Sequence, residues 1–303
     1  MLDNIKSINI LKRVINFVPK RKYLEIFINN KNLQKKLNIS IDTYIKLFNQ
    51  IEIEIIPDIS KISEDDDKNK FINIKKESDK SFYQIYYNGS NEEIKRNYIN
   101  IYENISKIKV IIDMEEKSLK ELFENCYNIK EIKFIKFNRT DFTDYSYMFN
   151  NCSALINLDI SKLKTDNAKY MSHMFNNCSS LKKINLSNFN TDNVITIDYM
   201  FDGCSSLESL DLSNFNTDNI FSMEFLFNKC KSLKQLNISN FVFNEYTDVG
   251  YMFSNCSEEL KNEIRNKYKN IREDAFYDDE EENDDEDVDE DDDYENLESL
   301  LKS

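Results

Sequence analysis

The sequence predicts a repeat protein of the α/β class, a solenoid of 26-residue helix–strand units with a small helical N-terminal region. Two observations support this prediction. The six cysteines of the 303-residue chain stand 26 residues apart, and the apolar residues around them change from a helical to a strand-like period. The cysteines are Cys126, Cys152, Cys178, Cys204, Cys230 and Cys256.

Each cysteine closes a helix-like apolar pattern and is followed by a strand-like one. In the third unit the helix-like positions are Met171, Met174, Phe175 and Cys178, which follow the spacing i, i+3, i+4, i+7 of one helix face. Ile184 and Leu186 then alternate with polar residues, as in a strand with one buried face. Because such a unit cannot bury its apolar faces alone, the pattern predicts a stacked leucine-rich-repeat solenoid over 119–256.

The rest of the chain divides by composition. Residues 1–50 contain ten Lys and Arg against three acids, with apolar residues at helical spacing, and are predicted to form a helical module. Residues 51–118 are a mixed segment that ends in an N-terminal cap. Residues 257–272 begin with Ser-Glu-Glu, which predicts a C-terminal capping helix. Residues 273–303 hold 18 acids and one Lys, which predicts a disordered acidic tail.

The cysteines are predicted to be structural. They share one position in the unit and face the core beside methionine and phenylalanine, which predicts a ladder of buried, reduced thiols. A disulfide framework is the alternative. The close Cys and His pairs that tetrahedral zinc ligation needs are missing from the sequence, so we expect neither a metal nor another cofactor.

Several functional classes are disfavoured by the sequence. It has one histidine, His173, predicted to lie on the exposed side of its unit, and three glycines, too few for a phosphate-binding loop; we therefore expect no catalysis and no small-molecule substrate. No apolar run approaches the ~20 residues of a membrane span, and no signal peptide is recognised. These features predict a cytoplasmic protein without membrane insertion. The basic residues of 1–50 lack a nucleic-acid-reading motif, so no nucleic-acid partner is expected.

Outward-facing polar residues of the predicted strands form ladders, because parallel strands stack about 4.8 Å apart. We predict that these ladders bind a protein partner. The alternative is a solvated sheet whose amides and hydroxyls bond to one another. The candidate binding residues are Asp159, Ser161, Lys183, Asn185, Ser187, Asp211, Ser213, Asn237 and Ser239.

Two stretches resemble known families. The units CSSLKKINLSNFNTDN (Cys178–Asn193) and CSSLESLDLSNFNTDN (Cys204–Asn219) resemble the BspA-like leucine-rich repeats of bacterial and protist surface proteins. That resemblance implies stacked parallel strands and binding or adhesion to proteins rather than catalysis. The stretch Ile10–Leu37 resembles, weakly, an F-box, with an ordinary helical cap as the alternative.

These observations predict a non-catalytic scaffold or adaptor that binds other proteins through its repeats. One alternative is a cell-surface adhesin of the BspA-like type. A second alternative is an F-box-like substrate adaptor of a ubiquitin ligase, in which residues 1–50 recruit the ligase.

Overall fold

The computed structural model describes residues 30–37 and 40–278. The F-box-like stretch lies mostly outside these residues, as does the chain from 279 onward, which includes most of the predicted acidic tail. Within the described part the molecule is mainly β, with three α-helices and a 26-residue structural period.

Two short helices come first. Helix α1 spans Lys31–Leu37 and α2 spans Ile41–Asn49. The Oγ atom of Ser40 accepts a hydrogen bond from the backbone N–H of Thr43 at 3.0 Å and so caps the first turn of α2. Asn138 of the first repeat donates its Nδ2–H to the Phe48 carbonyl at 2.7 Å, which fastens the end of α2 to the repeats.

A six-stranded sheet joins the segment before the repeats to the first two repeats. Its strands are β1 (Ile51–Pro57), β2 (Tyr83–Tyr87), β3 (Glu93–Ile94), β4 (Ile108–Ile112), β5 (Ile129–Lys136) and β6 (Asn157–Asp159), in the spatial order β3-β2-β4-β1-β5-β6. Strand β1 is antiparallel to β4 and β5, whereas β5 and β6 are parallel. The isoleucines of β1 alternate with Glu52 and Glu54, so one face of β1 is buried in the core and the other is accessible.

The parallel pairing continues through the later repeats. Strands β7 (Ser209–Asp211) and β8 (Gln235–Asn237) pair in register, and a bridge between Lys183 and Ser209 joins the third repeat to the fourth. A second line of parallel β-bridges runs along another side of the repeat array. It links Ser118, Asp144, Tyr170, Thr196, Ser222 and Asp248, each 26 residues after the last.

The helix expected at the start of each repeat is not formed. Consecutive turns replace it, because two residues per repeat adopt the left-handed conformation that an α-helix cannot contain. In the second repeat these are Tyr147 (φ 58°) and Asn151 (φ 59°), and the same two positions recur in all six repeats. Both structures bury residues i, i+3, i+4 and i+7, so the apolar spacing alone could not separate them.

Backbone hydrogen bonds between repeats satisfy the N–H groups of the turns. The N–H of Tyr199 donates to the Glu224 carbonyl at 2.9 Å, and that of Phe201 donates to the Leu226 carbonyl at 3.0 Å. The intervening Met200 N–H instead closes a turn onto the Ile197 carbonyl at 3.2 Å. Every second N–H therefore bonds to the next repeat, which ties each unit to its neighbour along the whole array.

Buried side chains stack in columns along the axis. The phenylalanine column has ring centroids 5.2 to 5.9 Å apart and comprises Phe123, Phe149, Phe175, Phe201, Phe227, Phe253 and Phe276. All six cysteines are free and buried beside it. From the second repeat onward each thiol donates to a carbonyl of the preceding repeat, as Cys204 Sγ does to Phe175 at 3.1 Å. Burial raises the pKa of these thiols.

Arg139 joins the N-terminal segment to the repeats. Its buried guanidinium donates to the carbonyls of Met114 at 2.6 Å and Glu116 at 2.8 Å. It also pairs with Asp141 at 2.9 Å and lies 4.3 Å over the Phe142 ring. This one side chain thus satisfies backbone carbonyls of the segment that leads into the first repeat. At the equivalent position, later repeats have a threonine whose hydroxyl donates to a carbonyl of the next repeat.

The C-terminal end is closed by helix α3 (Glu258–Lys267) and a 3₁₀ turn at Glu273–Phe276. Ser257 caps α3, accepting from the Leu260 N–H at 3.3 Å. The ordered chain continues past the boundary at 272 that the composition suggested. Phe276 packs on Phe253, and the Ala275 carbonyl accepts from the Phe253 N–H at 2.7 Å, so this turn completes the last repeat.

Candidate functional site

The accessible face of the sheet carries a hollow of about 520 Å³ where β1 meets the first three repeats. We call it the sheet groove. The strand order explains its position, because the antiparallel strand β1 and the parallel repeat strands present their accessible faces side by side. Its walls and floor include Glu54, Ile56, Glu131, Lys133, Ile156, Leu158, Asp159, Lys183, Ile184 and Asn185.

Three of the nine candidate binding residues line the sheet groove: Asp159, Lys183 and Asn185. Asp211 and Asn237 lie on the separate two-stranded sheet of β7 and β8, beyond the groove.

The serines among the candidate binding residues have a structural role. In four successive repeats the serine N–H donates to the acid or amide two residues before it, at 2.9 to 3.2 Å. These bonds form turns that end each strand. The pairs are Asp159 with Ser161, Asn185 with Ser187, Asp211 with Ser213, and Asn237 with Ser239.

Charges in the sheet groove are partly neutralised within the chain. Lys133 pairs with Asp159 at 3.5 Å, and Lys107 pairs with Glu54 at 2.5 Å. The hydroxyl of Ser161 donates to Asp159 and holds the pKa of that carboxyl below its usual range. Lys183 is exposed and Glu131 is half-buried, and neither forms an ion pair within residues 30–37 and 40–278.

The apolar floor and the β1 wall of the sheet groove were not predicted from the sequence. Ile156 is 41% exposed, and the equivalent residues of three other repeats are Lys130, Lys182 and Lys234. An isoleucine at a position that is otherwise charged could have predicted exposed apolar surface. Glu54 and Ile56 carried no such signal. They reach the groove only because β1 pairs with β5, a contact between segments about 77 residues apart in sequence.

A second feature lies on the side of the repeat array that is formed by the turns. Half-buried rings stack face to face with centroids 4.4 to 5.0 Å apart, in the order Tyr147, His173, Tyr199, Phe225 and Tyr251. His173 was predicted to be exposed, but its ring is covered on both faces, and its Nδ1 lies 3.0 Å from Asn176 Nδ2. Burial lowers the pKa of His173 to about 4, so the imidazole is neutral at neutral pH.

Replacing His173 with phenylalanine, the residue at the equivalent position of the fifth repeat, is expected to reduce the pH dependence of stability. The folded imidazole stays neutral down to about pH 4, whereas the unfolded one binds a proton near 6.5. The unfolded state therefore binds more protons between these values, and wild-type stability falls as pH falls through that window. Urea unfolding at about pH 7 and about pH 5 measures this difference.

The matched control is Tyr199→Phe, which changes a neighbouring ring of the same stack and leaves His173 in place. Carboxylates titrate equally in all three proteins, so the comparison isolates the imidazole. Equal losses of unfolding free energy in wild type and His173→Phe would contradict a buried neutral histidine.

Within the described residues, no three His, Cys, Asp or Glu side chains come close enough together to hold a metal ion. In the same part of the chain, no helix has the length and apolar character needed to cross a membrane.

The fold and the sheet groove define a mainly β repeat protein whose N-terminal segment and first repeats share one accessible sheet face. A family model described as Mycoplasma protein of unknown function, DUF285, matches residues 117–210 and 184–281. These matches together cover more than half of the chain, and the chain belongs to this family. No curated protein and no solved structure matches it.

Proposed function

We propose that this chain is a non-catalytic protein-binding scaffold of the leucine-rich-repeat type, with the helix of each unit replaced by stacked turns. The observation that supports this most is the sheet groove, an accessible hollow with an apolar floor and polar walls on a face built from β1, β5, β6 and the third repeat. Exposed apolar surface with a polar rim is typical of a site that binds another protein or a ligand. The likeness of Cys178–Asn193 to BspA-like repeats agrees with protein binding.

The backbone pairing between repeats favours a scaffold over a flexible binder. Each unit is bonded to the next by several N–H groups of its turns, so the array that carries the groove is held together without a ligand. A preformed surface loses less conformational entropy on binding. His173, the one histidine, is stacked and carries a pKa of about 4, which is unsuited to general base chemistry near neutral pH.

Site-specific photocrosslinking in the source cells tests this proposal. A benzoylphenylalanine at Asn185, in the groove, is expected to give a discrete crosslinked product. The same group at Asp218, an exposed residue outside the groove, is the control and is expected to give none. Equal products from both positions, or none from Asn185, would contradict binding through the sheet face.

The same cells allow the cell-surface alternative to be separated from the cytoplasmic one. Protease added to intact cells would remove a surface protein and leave an internal one until lysis. An exported chain would make the partner an extracellular protein, whereas a protected chain would make it a cytoplasmic one.

A further inference from the structure

The floor of the sheet groove is apolar although it faces solvent. Ile156 is 41% exposed, and Leu158 and Ile184 are half-buried, whereas the equivalent Leu210 and Leu236 of later repeats are 4% and 5% exposed. The apolar surface of the floor is therefore concentrated at the second and third repeats, since Ile132 of the first repeat is 1% exposed. Covering such surface stabilises a complex by roughly 25 cal/mol per Å², so the floor favours a partner with an aliphatic or aromatic side chain.

Opposite charges flank this floor. Glu131 lies on β5, and Lys183 lies at the same position of the unit two repeats later. One repeat, which contains β6, separates them, and both residues line the sheet groove. Both lack an ion-pair partner in the described part of the chain, while Lys133 and Glu54 are paired with Asp159 and Lys107. Among the residues that the structure describes, the groove thus offers one anion and one cation without an ion-pair partner across an apolar centre.

We propose that the sheet groove binds an extended segment of a partner protein in which a basic and an acidic side chain lie on either side of an apolar one. In an extended chain, side chains two residues apart point to the same face at about 7 Å. A basic-x-apolar-x-acidic segment therefore points three side chains into the groove. The apolar one contacts Ile156, Leu158 and Ile184, and the charged ones meet Glu131 and Lys183.

The charge layout argues for a peptide rather than a polyanion. Nucleic acid requires several cations along its backbone, and here Glu54 and Glu131 stand on the same face as Lys183. Accessible ion pairs contribute little affinity each, because water and salt screen their charges. The charges therefore select the sequence and orientation of the segment, while the apolar contact supplies most of the affinity.

This inference rests on the proposed scaffold function and is tested by selection from a phage-displayed library of random 12-residue peptides on the full chain. We expect enrichment of the basic-x-apolar-x-acidic pattern, in either direction along the peptide. Lys183→Glu should weaken the selected peptides about tenfold, and peptides selected on that variant should carry a base where the acid stood. Asp218→Lys, on an exposed residue outside the groove, is the control and should leave binding unchanged.

Selected peptides without the pattern, or the same peptides from wild type and Lys183→Glu, would overturn the inference. Failure to recover any peptide would overturn it too. The proposed function has a separate readout, because a crosslink from Asn185 in cells does not depend on the peptide pattern. A positive crosslink with a negative selection therefore leaves the scaffold standing and removes this partner chemistry.

Discussion

Cys204→Asp is expected to unfold the middle repeats at room temperature. Cys204 is fully buried, and its thiol donates to the Phe175 carbonyl. Aspartate there places a carboxylate without a cation among apolar side chains, at a cost of several kcal/mol. Because a folded domain is stable by only about 5 to 15 kcal/mol, and each repeat contacts only its neighbours, the array is expected to break at this unit. Circular dichroism and thermal melting measure the loss.

Cys204→Ser is the matched control. Serine keeps a donor for the Phe175 carbonyl and adds no charge, so we expect it to lower the free energy of unfolding by about 1 to 2 kcal/mol. A folded Cys204→Asp protein that melts with wild type would mean that this side chain faces solvent and that the cysteine column is not part of the core.

Ending the chain after Arg272 is expected to be the second large destabilisation. This truncation removes Phe276, which is 4% exposed against Phe253, and the two carbonyls that accept from the Tyr251 and Phe253 N–H groups. Loss of a buried phenylalanine costs about 3 to 5 kcal/mol, and the two N–H groups lose their partners. Urea unfolding and hydrogen exchange in the last repeat measure the effect.

Ending the chain after Asp278 is the matched control for that truncation. Asp278 accepts from the Asn255 N–H at 2.7 Å and pairs with the buried Lys261 at 2.5 Å, so the cap remains complete. We expect this truncated protein to have the same melting temperature as the full chain. Equal melting temperatures for the two truncated proteins would contradict a capping role for Glu273–Phe276.

The 26-residue period could be predicted from sequence because every unit repeats the same buried side chains, from Phe149 to Phe253. The capping helix α3 was equally readable, since Ser257 and two glutamates mark its start. The sequence did not distinguish the turns of each repeat from a short helix. Tyr147 and Tyr199 adopt positive φ, which few residues other than glycine do, and the bonds from their N–H groups to the next repeat stabilise that conformation.

The sheet groove was only partly predictable. Asp159, Lys183 and Asn185 follow from the alternation within each unit, which places them on the accessible face. The opposite wall depends on β1 pairing with β5 and on a register shift between Glu52 and Ile53. Sequence patterns identify strands but do not fix which distant strands become neighbours, so Glu54 and Ile56 could not be assigned to the site.

The most direct test is the scalar coupling that NMR detects across a hydrogen bond. The groove depends on repeats that bond to one another through their backbones rather than on independent helices. We expect a coupling between the amide nitrogen of Phe201 and the carbonyl carbon of Leu226, which the 3.0 Å bond joins. A coupling from Phe201 to the carbonyl carbon of Ile197, the partner in an α-helix, would contradict the stacked turns.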